Sequence, residues 1–393
     1  MLDQAHPLPR QAVTRRPRDP RLDFFRGLGM FIILIAHIPE SNWLNWIPAR
    51  FGFSDAADMF VFCSGMASAL AFAGIFTTRG WLMGTARILH RMWQVYWVHI
   101  GSFFVVAAIC FAADNLFATG GRYAQIFTFD KALADAPQRV LQLMTLRYIP
   151  ELFFDILPMY LALLAMIPVI MALARVHVAL VFAFMCASWL AANQFGFNLR
   201  AQPEGGRDWY FNPFAWQVVF FSGFALVRGW WPAPPRDWRL LAVCIAYVAL
   251  ASLVSCQEGY YCHAGFGTSQ TLGNIHAALV PWVDKTSQGI LRYLHFMATV
   301  YIAWYLAGEH GRNLTGPIVE LIRRVGTQTL AVFVTSLIAA PILGIILLQA
   351  GANFFTVAVA NIAGMLMLIA GGRLTGWFKS SPWRIKGAGA SEG

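Results

Sequence analysis

The chain has 393 residues, of which 58% are hydrophobic, 15% aromatic and only 12% charged. Soluble domains carry about 25% charged residues, so this composition argues against a water-soluble enzyme. A mean hydropathy of +0.56, with apolar runs recurring to the C-terminal region, points to an all-α fold, a polytopic transmembrane helical bundle; the net charge of +10 is therefore read first as topology rather than as a nucleic-acid footprint.

Residues 1–20 are rich in Arg and Pro and lack an apolar core ending in small residues, so they read as a cytoplasmic tail and not as a signal peptide. Arg15 and Arg16 weakly resemble a twin-arginine signal, but the apolar run that follows has full spanning length. Across 21–372, apolar stretches near 24–40, 53–76, 92–112, 154–173, 178–195, 213–227, 240–256, 291–307, 327–349 and 352–370 predict about ten spans, followed by a tail over 373–393. An even number puts both termini on one side. With the N-terminal tail inside, 20 of the 29 Lys and Arg residues fall in the tails and in the turns around 79–91, 175, 228–239 and 308–324. The positive-inside rule thus selects N-in and C-in, and it explains the basic balance without nucleic acid.

The first span, "RLDFFRGLGMFIILIAHIPE", carries Asp23 and Arg26 at the cytoplasmic entrance and His37 well inside. Eleven steps of 100° make three turns plus about 20°, so Arg26 and His37 share one helical face about 16 Å apart. An anchor for anions is therefore in line with an imidazole, the side chain that accepts and returns a proton near neutral pH. The plainer reading of His37 is a structural hydrogen bond to another helix.

The second span opens "FGFSDAADMFVFCSGM". Asp55 is expected to cap the helix, and Asp58 is expected to orient the His37 imidazole, fixing its tautomer and stabilising its charged form. Ser64 and Gly65 form a small pair that lets helices approach closely. In "RGWLMGTARILHRMW", Arg87 and Arg91 stand one turn apart with His90 between them. Beside Arg26 they would suit a polyphosphate, and ordinary positive-inside anchoring explains each of them equally well.

The outer connections 113–150, 196–212 and 257–290 hold aromatic and amide groups; Trp209 and Tyr210 lie in "RAQPEGGRDWYFNPF". Such side chains suit the faces and hydroxyls of a sugar, and interface-anchoring aromatics look the same. Glu151 and Asp155 share a face in "PELFFDILPMY", and Arg292 and His295 are three apart in "ILRYLHFMA"; each pair is either a substrate contact or an inter-helix contact. Cys63, Cys110, Cys186 and Cys244 lie in apolar runs, whereas Cys256 and Cys262 could pair if they face an oxidising compartment. The sequence contains no phosphate-binding glycine loop, dinucleotide fingerprint or metal-spaced Cys/His array, so no cofactor and no metal are expected. No internal repeat of the inverted-transporter kind is visible.

The ten-residue spacing between Arg26 and His37 resembles the hallmark of the acyltransferase-three superfamily, integral membrane enzymes that move acyl groups to extracytoplasmic acceptors. "MFVFCSGM" is similar to its phenylalanine-rich run ending in Ser-Gly, and the basic turn at 79–91 sits where its cytoplasmic turn lies. "RLDFFRGLGMFIILIAHIP", "FGFSDAADMFVFCSGMASALAF" and "DILPMYLALLAMIP" look like the OpgC branch, succinyltransferases of osmoregulated periplasmic glucans. The likeness runs from about residue 21 to 370 and is most specific over the first two spans.

That resemblance implies a multi-pass enzyme of the bacterial inner membrane, with succinyl-coenzyme A as cytoplasmic donor, nothing tightly bound, and a periplasmic glucan hydroxyl as acceptor. His37 would be the essential residue, either as general base or as acyl carrier. The coenzyme head would rest on Arg26, Arg87 and Arg91. A succinyl donor also needs a cation for its free carboxylate, for which Arg292 is the expected residue, while Asp155, His295, Trp209 and Tyr210 are expected around the acceptor. Two alternatives stay open: an O-acetyltransferase acting on another extracytoplasmic glycan, and a secondary transporter that uses the same His, Asp and Arg residues for an anionic solute.

Overall fold

The body of each of those apolar stretches lies on a helix in the computed structural model, which describes residues 19–130, 136–150, 154–202, 204–255 and 270–383. The helices are α1 (Pro20–His37), α2 (Ala56–Thr78), α3 (Trp81–Leu116), α4 (Ile156–Val176), α5 (Val178–Phe195), α6 (Pro213–Arg228), α7 (Trp238–Val254), α8 (Gln270–Val283), α9 (Ile290–Ala307), α10 (Pro317–Thr327), α11 (Thr329–Ala350) and α12 (Phe354–Lys379). Two shorter helices, Arg122–Ile126 and Ala136–Met144, lie between α3 and α4. Cys256 and Cys262, which could pair, Glu151, and residues 1–18 and 384–393 of the two tails lie outside the described residues.

Six helices (α2, α3, α4, α5, α11 and α12) are long and apolar enough to cross a membrane, and α6 and α7 are apolar but shorter. The other two stretches fall short for a chemical reason: α1 carries Arg21, Asp23 and Arg26 in its first turns, and α9 carries Arg292 and His295. Phe104, Phe111, Leu190, Leu250, Ile346 and Leu366 stand exposed on helix flanks, apolar surface that suits lipid and not water.

Local chemistry sets the helix starts. Asp19 accepts from the Arg21 amide (2.9 Å) and Pro20 occupies the first turn of α1, an arrangement that satisfies an orphan donor where proline costs nothing. The same helix stops at Ile38, ahead of Pro39, because the residue before a proline is pushed out of the helical region. Part-way along α2, residues Ala69–Ala73 form a π-helical turn.

The centre of the bundle is α1, packed against α2, α10, α11 and α12. Its contact with α10 is backbone on backbone. A Cβ on Gly27 would strike the Ile322 carbonyl, and one on Gly326 would strike the Asp23 carbonyl. Helices α2 and α6 meet in the same way, Gly65 against the Phe220 carbonyl and Gly223 against that of Phe62. In lipid, close approach of this kind supplies the packing attraction that a hydrophobic effect between helices cannot, and it matches the expectation drawn from the Ser64–Gly65 pair. Gly65→Val inserts side-chain atoms where backbone already sits, so it should cost at least about 1–3 kcal/mol. A clear drop in the unfolding midpoint of the detergent-purified protein is the expected result, with a smaller drop for Ser64→Ala.

Candidate functional site

Two cavities with charged residues on their walls lie along α1, one by Arg26 and one by His37. The first, of about 380 Å³, is lined by Arg26 from α1, Ser64, Ser68, Ala71 and Phe72 from α2, Arg87, His90, Arg91 and Gln94 from α3, and Tyr160 from α4. The three arginines singled out from sequence therefore share one cavity. The π turn of α2 places Ala71 and Phe72 on its wall, in keeping with the tendency of such turns to occur at functional sites. On the rim, Arg91 donates to Gln94 Oε1 (3.2 Å), and Gln94 Nε2 lies 3.1 Å from His90 Nε2. With Arg87 and His90 exposed, the rim is open to an anion.

The second cavity is larger, about 840 Å³, and holds His37, Asp155, Trp209, Tyr210 and Arg292 on its wall together with Arg50, Asp55, Arg207, His276 and Lys285. His37 is in the last turn of α1, and its Nδ1 lies 2.6 Å from the Ile33 carbonyl oxygen. A carbonyl only accepts, so Nδ1 carries a proton and the lone pair of the neutral ring is on Nε2.

Between the cavities the face of α1 runs Arg26, Met30, Ile33, His37. Ile33 lines the larger cavity, Arg26 the smaller, and Met30 between them is fully buried. On α2 the order is Ala57 in the larger cavity, Ser64 in the smaller, and buried Phe60 between them, stacked on Phe333 of α11 at 5.7 Å. Six residues on α1 (Arg26 to Ile32) and seven on α2 (Ala57 to Ser64) separate the two cavities, about 9–10 Å at 1.5 Å per residue. One layer of apolar side chains closes the gap.

The expected role of Asp58 needs correction. Asp55 caps α2 through the Ala57 amide (2.8 Å), and Asp58 Oδ2 returns the bond by accepting from the Asp55 amide (2.9 Å), a reciprocal capping box. Asp58 also accepts from Arg292 (2.5 Å) and Gln288 (2.8 Å). Its carboxylate is spent on these three donors, and the carbonyl of Ile33 sets the His37 tautomer instead.

The role expected for Arg292 changes for the same reason. Its side chain is 1% exposed; it donates to the Phe53 carbonyl and Asp58 (both 2.5 Å), pairs with Asp55 at 3.1 Å and lies over the Trp216 ring at 5.8 Å. The guanidinium ties α9 to the start of α2, which leaves it poorly placed to meet an acyl carboxylate. His295, one turn on, is buried behind it, with Nδ1 2.8 Å from Ser54 Oγ, and does not line the cavity. Trp209 is buried and donates to the Arg200 carbonyl (3.1 Å), while Tyr210 is exposed at the mouth.

A sequence model of the OpgC protein family matches residues 18–380. The chain belongs to that family. No curated protein and no solved structure matches the chain. Nearly the whole described structure is thus the OpgC fold, with both cavities inside the matched range.

Sequence reasoning missed Lys285 and Gln288, which reach the site from the connection before α9. A signal existed for the lysine: it lies in an expected outer segment, so the positive-inside rule gives no account of it. Gln288 offered none, because its partner Asp58 lies 230 positions away. Arg292→Leu would leave the Asp58 carboxylate buried without its charge partner, at a cost of about 3–5 kcal/mol. Loss of monodisperse protein is expected for Arg292→Leu, with partial recovery in the double variant Asp58→Asn/Arg292→Leu. Equal stability of wild type and single variant would show that the pair does not carry the α2–α9 junction.

Proposed function

We propose that this OpgC-family protein is a transmembrane O-acyltransferase that moves a succinyl group from cytoplasmic succinyl-coenzyme A to hydroxyls of a periplasmic glucan. The observation that carries this reading is the pair of cavities on one face of α1, an arginine cluster at one end and an imidazole at the other, one apolar layer apart. A coenzyme A donor is an anionic nucleotide on a long, thin arm. Its phosphates suit Arg26, Arg87 and Arg91, since guanidinium pairs with phosphate oxygens in a fork. Its arm is thin enough to pass the Met30–Phe60 layer once those side chains turn aside.

On this reading His37 performs the chemistry at Nε2. In direct transfer, a glucan hydroxyl gives its proton to Nε2 as its oxygen bonds to the thioester carbonyl carbon; the carbon–sulfur bond then breaks, and the proton leaves with the coenzyme thiolate. In the two-step route, Nε2 bonds to the thioester carbonyl carbon and the carbon–sulfur bond breaks, releasing the coenzyme thiolate; the hydroxyl oxygen then bonds to that carbon as the carbon–nitrogen bond breaks, and the hydroxyl proton goes to the thiolate. Both routes need Nδ1 held as a donor, which the Ile33 carbonyl supports. Aromatic and carboxylate groups on the larger cavity, Tyr210 and Asp155 among them, suit the C–H faces and hydroxyls of a sugar.

Sealed liposomes oriented with the Arg26 side outward and loaded with neutral glucan provide the test. Isotopically labelled succinyl-coenzyme A is added outside, and mass spectrometry reads the enclosed glucan. Wild type should add succinyl groups; His37→Ala should lose about 10²- to 10⁴-fold in rate, the usual contribution of a general base. Arg26→Ala should act mainly on the KM for the donor. Equal gain by His37→Ala would remove the imidazole from the mechanism, and no gain by wild type with intact thioester would overturn the reading.

A further inference from the structure

With Arg292 spent on two carboxylates, the larger cavity needs another cation if its acyl group carries a free carboxylate. Lys285 has the right construction. Its ammonium is 2.7 Å from Asp55 Oδ2, with the side chain 27% exposed against 1% for Arg292. An ammonium has three N–H donors, and Asp55 takes only one of them. Asp55 also shares its charge with Arg292, so Lys285 is not neutralised alone. The Tyr210 and Phe211 rings flank the ammonium at 5.8 and 5.4 Å, where their faces favour a cation.

The backbone beneath this lysine is fixed. The buried Trp216 indole donates to the Lys285 carbonyl (2.8 Å), Trp189 to the Gln288 carbonyl (2.9 Å) and Asn193 to the Ser287 carbonyl (2.9 Å). A connection of a few residues is thereby held by three side chains from α5 and α6. Burial works against the charged form of Lys285, but the Asp55 carboxylate outweighs it and keeps the pKa above the ordinary lysine value. The lysine also lines the same cavity as His37, and its charge is felt at that imidazole.

We propose that Lys285 is the specificity-determining residue that binds the terminal carboxylate of the acyl group while its thioester end lies at His37. The inference rests on the succinyl-transfer reading above and adds the residue that would select a dicarboxylic monothioester over a plain acyl donor. A donor ending in methyl would leave the ammonium with Asp55 alone and gain nothing from it.

Succinyl- and butyryl-coenzyme A test this directly, because both have four-carbon acyl chains and only succinyl ends in a carboxylate. Wild type, Lys285→Met and Lys285→Arg are compared by the succinyl-to-butyryl ratio of kcat/KM with glucan as acceptor. A charge-assisted hydrogen bond corresponds to about a ten- to hundred-fold change. The ratio should fall by that factor in Lys285→Met and stay near wild type in Lys285→Arg. Should Lys285→Met fail to fold, Asp55→Asn/Lys285→Gln removes both charges together while Asn keeps the cap and Arg292 keeps Asp58; the same fall is expected there. An unchanged ratio, or equal loss with both donors in the folded double variant, overturns the role of Lys285 alone. Transfer of neither acyl group by wild type overturns the function reading, and this assignment with it.

Discussion

A guanidinium out of reach of water must be compensated on the spot, because removing a charge from solvent costs several kcal/mol unless partners replace its hydration. Arg292 meets that demand with the Phe53 carbonyl and the Asp58 and Asp55 carboxylates. Each partner belongs to the segment that opens α2, so the compensation also fixes where α9 stands against α2. The consequences spread outward. Asp55, held on one side by Arg292, binds Lys285 on the other; Asp58, held by the same guanidinium, receives Gln288. One buried cation thus sets part of the wall of the larger cavity, and the two acids at the start of α2 are committed to architecture.

The smaller cavity is shaped by close approach between backbones. Gly65 brings α2 onto α6, and Gly27 with Gly326 brings α10 onto α1. These backbone contacts hold α1 against α10 and α2 against α6, and α1 and α2 carry Arg26 and Ser64 on the cavity wall. Between the two cavities the layer is different in kind. Met30 is unbranched and adaptable, and the Phe60–Phe333 stack is a contact between single rings. A passage between the two cavities along α1 and α2 would have to displace Met30 and Phe60, which are side chains and not backbone.

What sequence could and could not reveal follows the range of each interaction. The alignment of Arg26 with His37 is a matter of helical period within one element, and the structure puts the two residues at opposite ends of one face. The Asp55 cap is equally local. The meeting of Arg26 with Arg87 and Arg91 joins α1 to α3, and charge clustering with topology was enough to suggest it. Asp58 misled because two acids near a histidine look like an orienting pair, while their partners Arg292 and Gln288 lie more than 200 residues further along. Of the ten expected spans, six are helices long and apolar enough to cross a membrane; α6 and α7 are apolar but shorter, α1 carries Arg21, Asp23 and Arg26, and α9 carries Arg292 and His295.

The position of the seal bears on the order of events. Met30 lies between Arg26 and Ile33, and the bond that fixes the His37 ring comes from Ile33 itself. His37 is thus on the far side of the apolar layer from the arginine cluster. On the proposed reading the coenzyme head never needs to cross. Only the narrow end of its arm passes Met30, and the thioester becomes reactive where Nε2 and the acceptor hydroxyl are both at hand. Water on the arginine side is then kept from the imidazole by the same layer that keeps the donor head in place. That separation favours transfer to a sugar over hydrolysis, because the activated carbonyl exists only in the cavity the acceptor occupies. Many enzymes exclude water by closing a loop or lid; on the proposed reading two turns of helix with Met30 and Phe60 between them would serve that purpose.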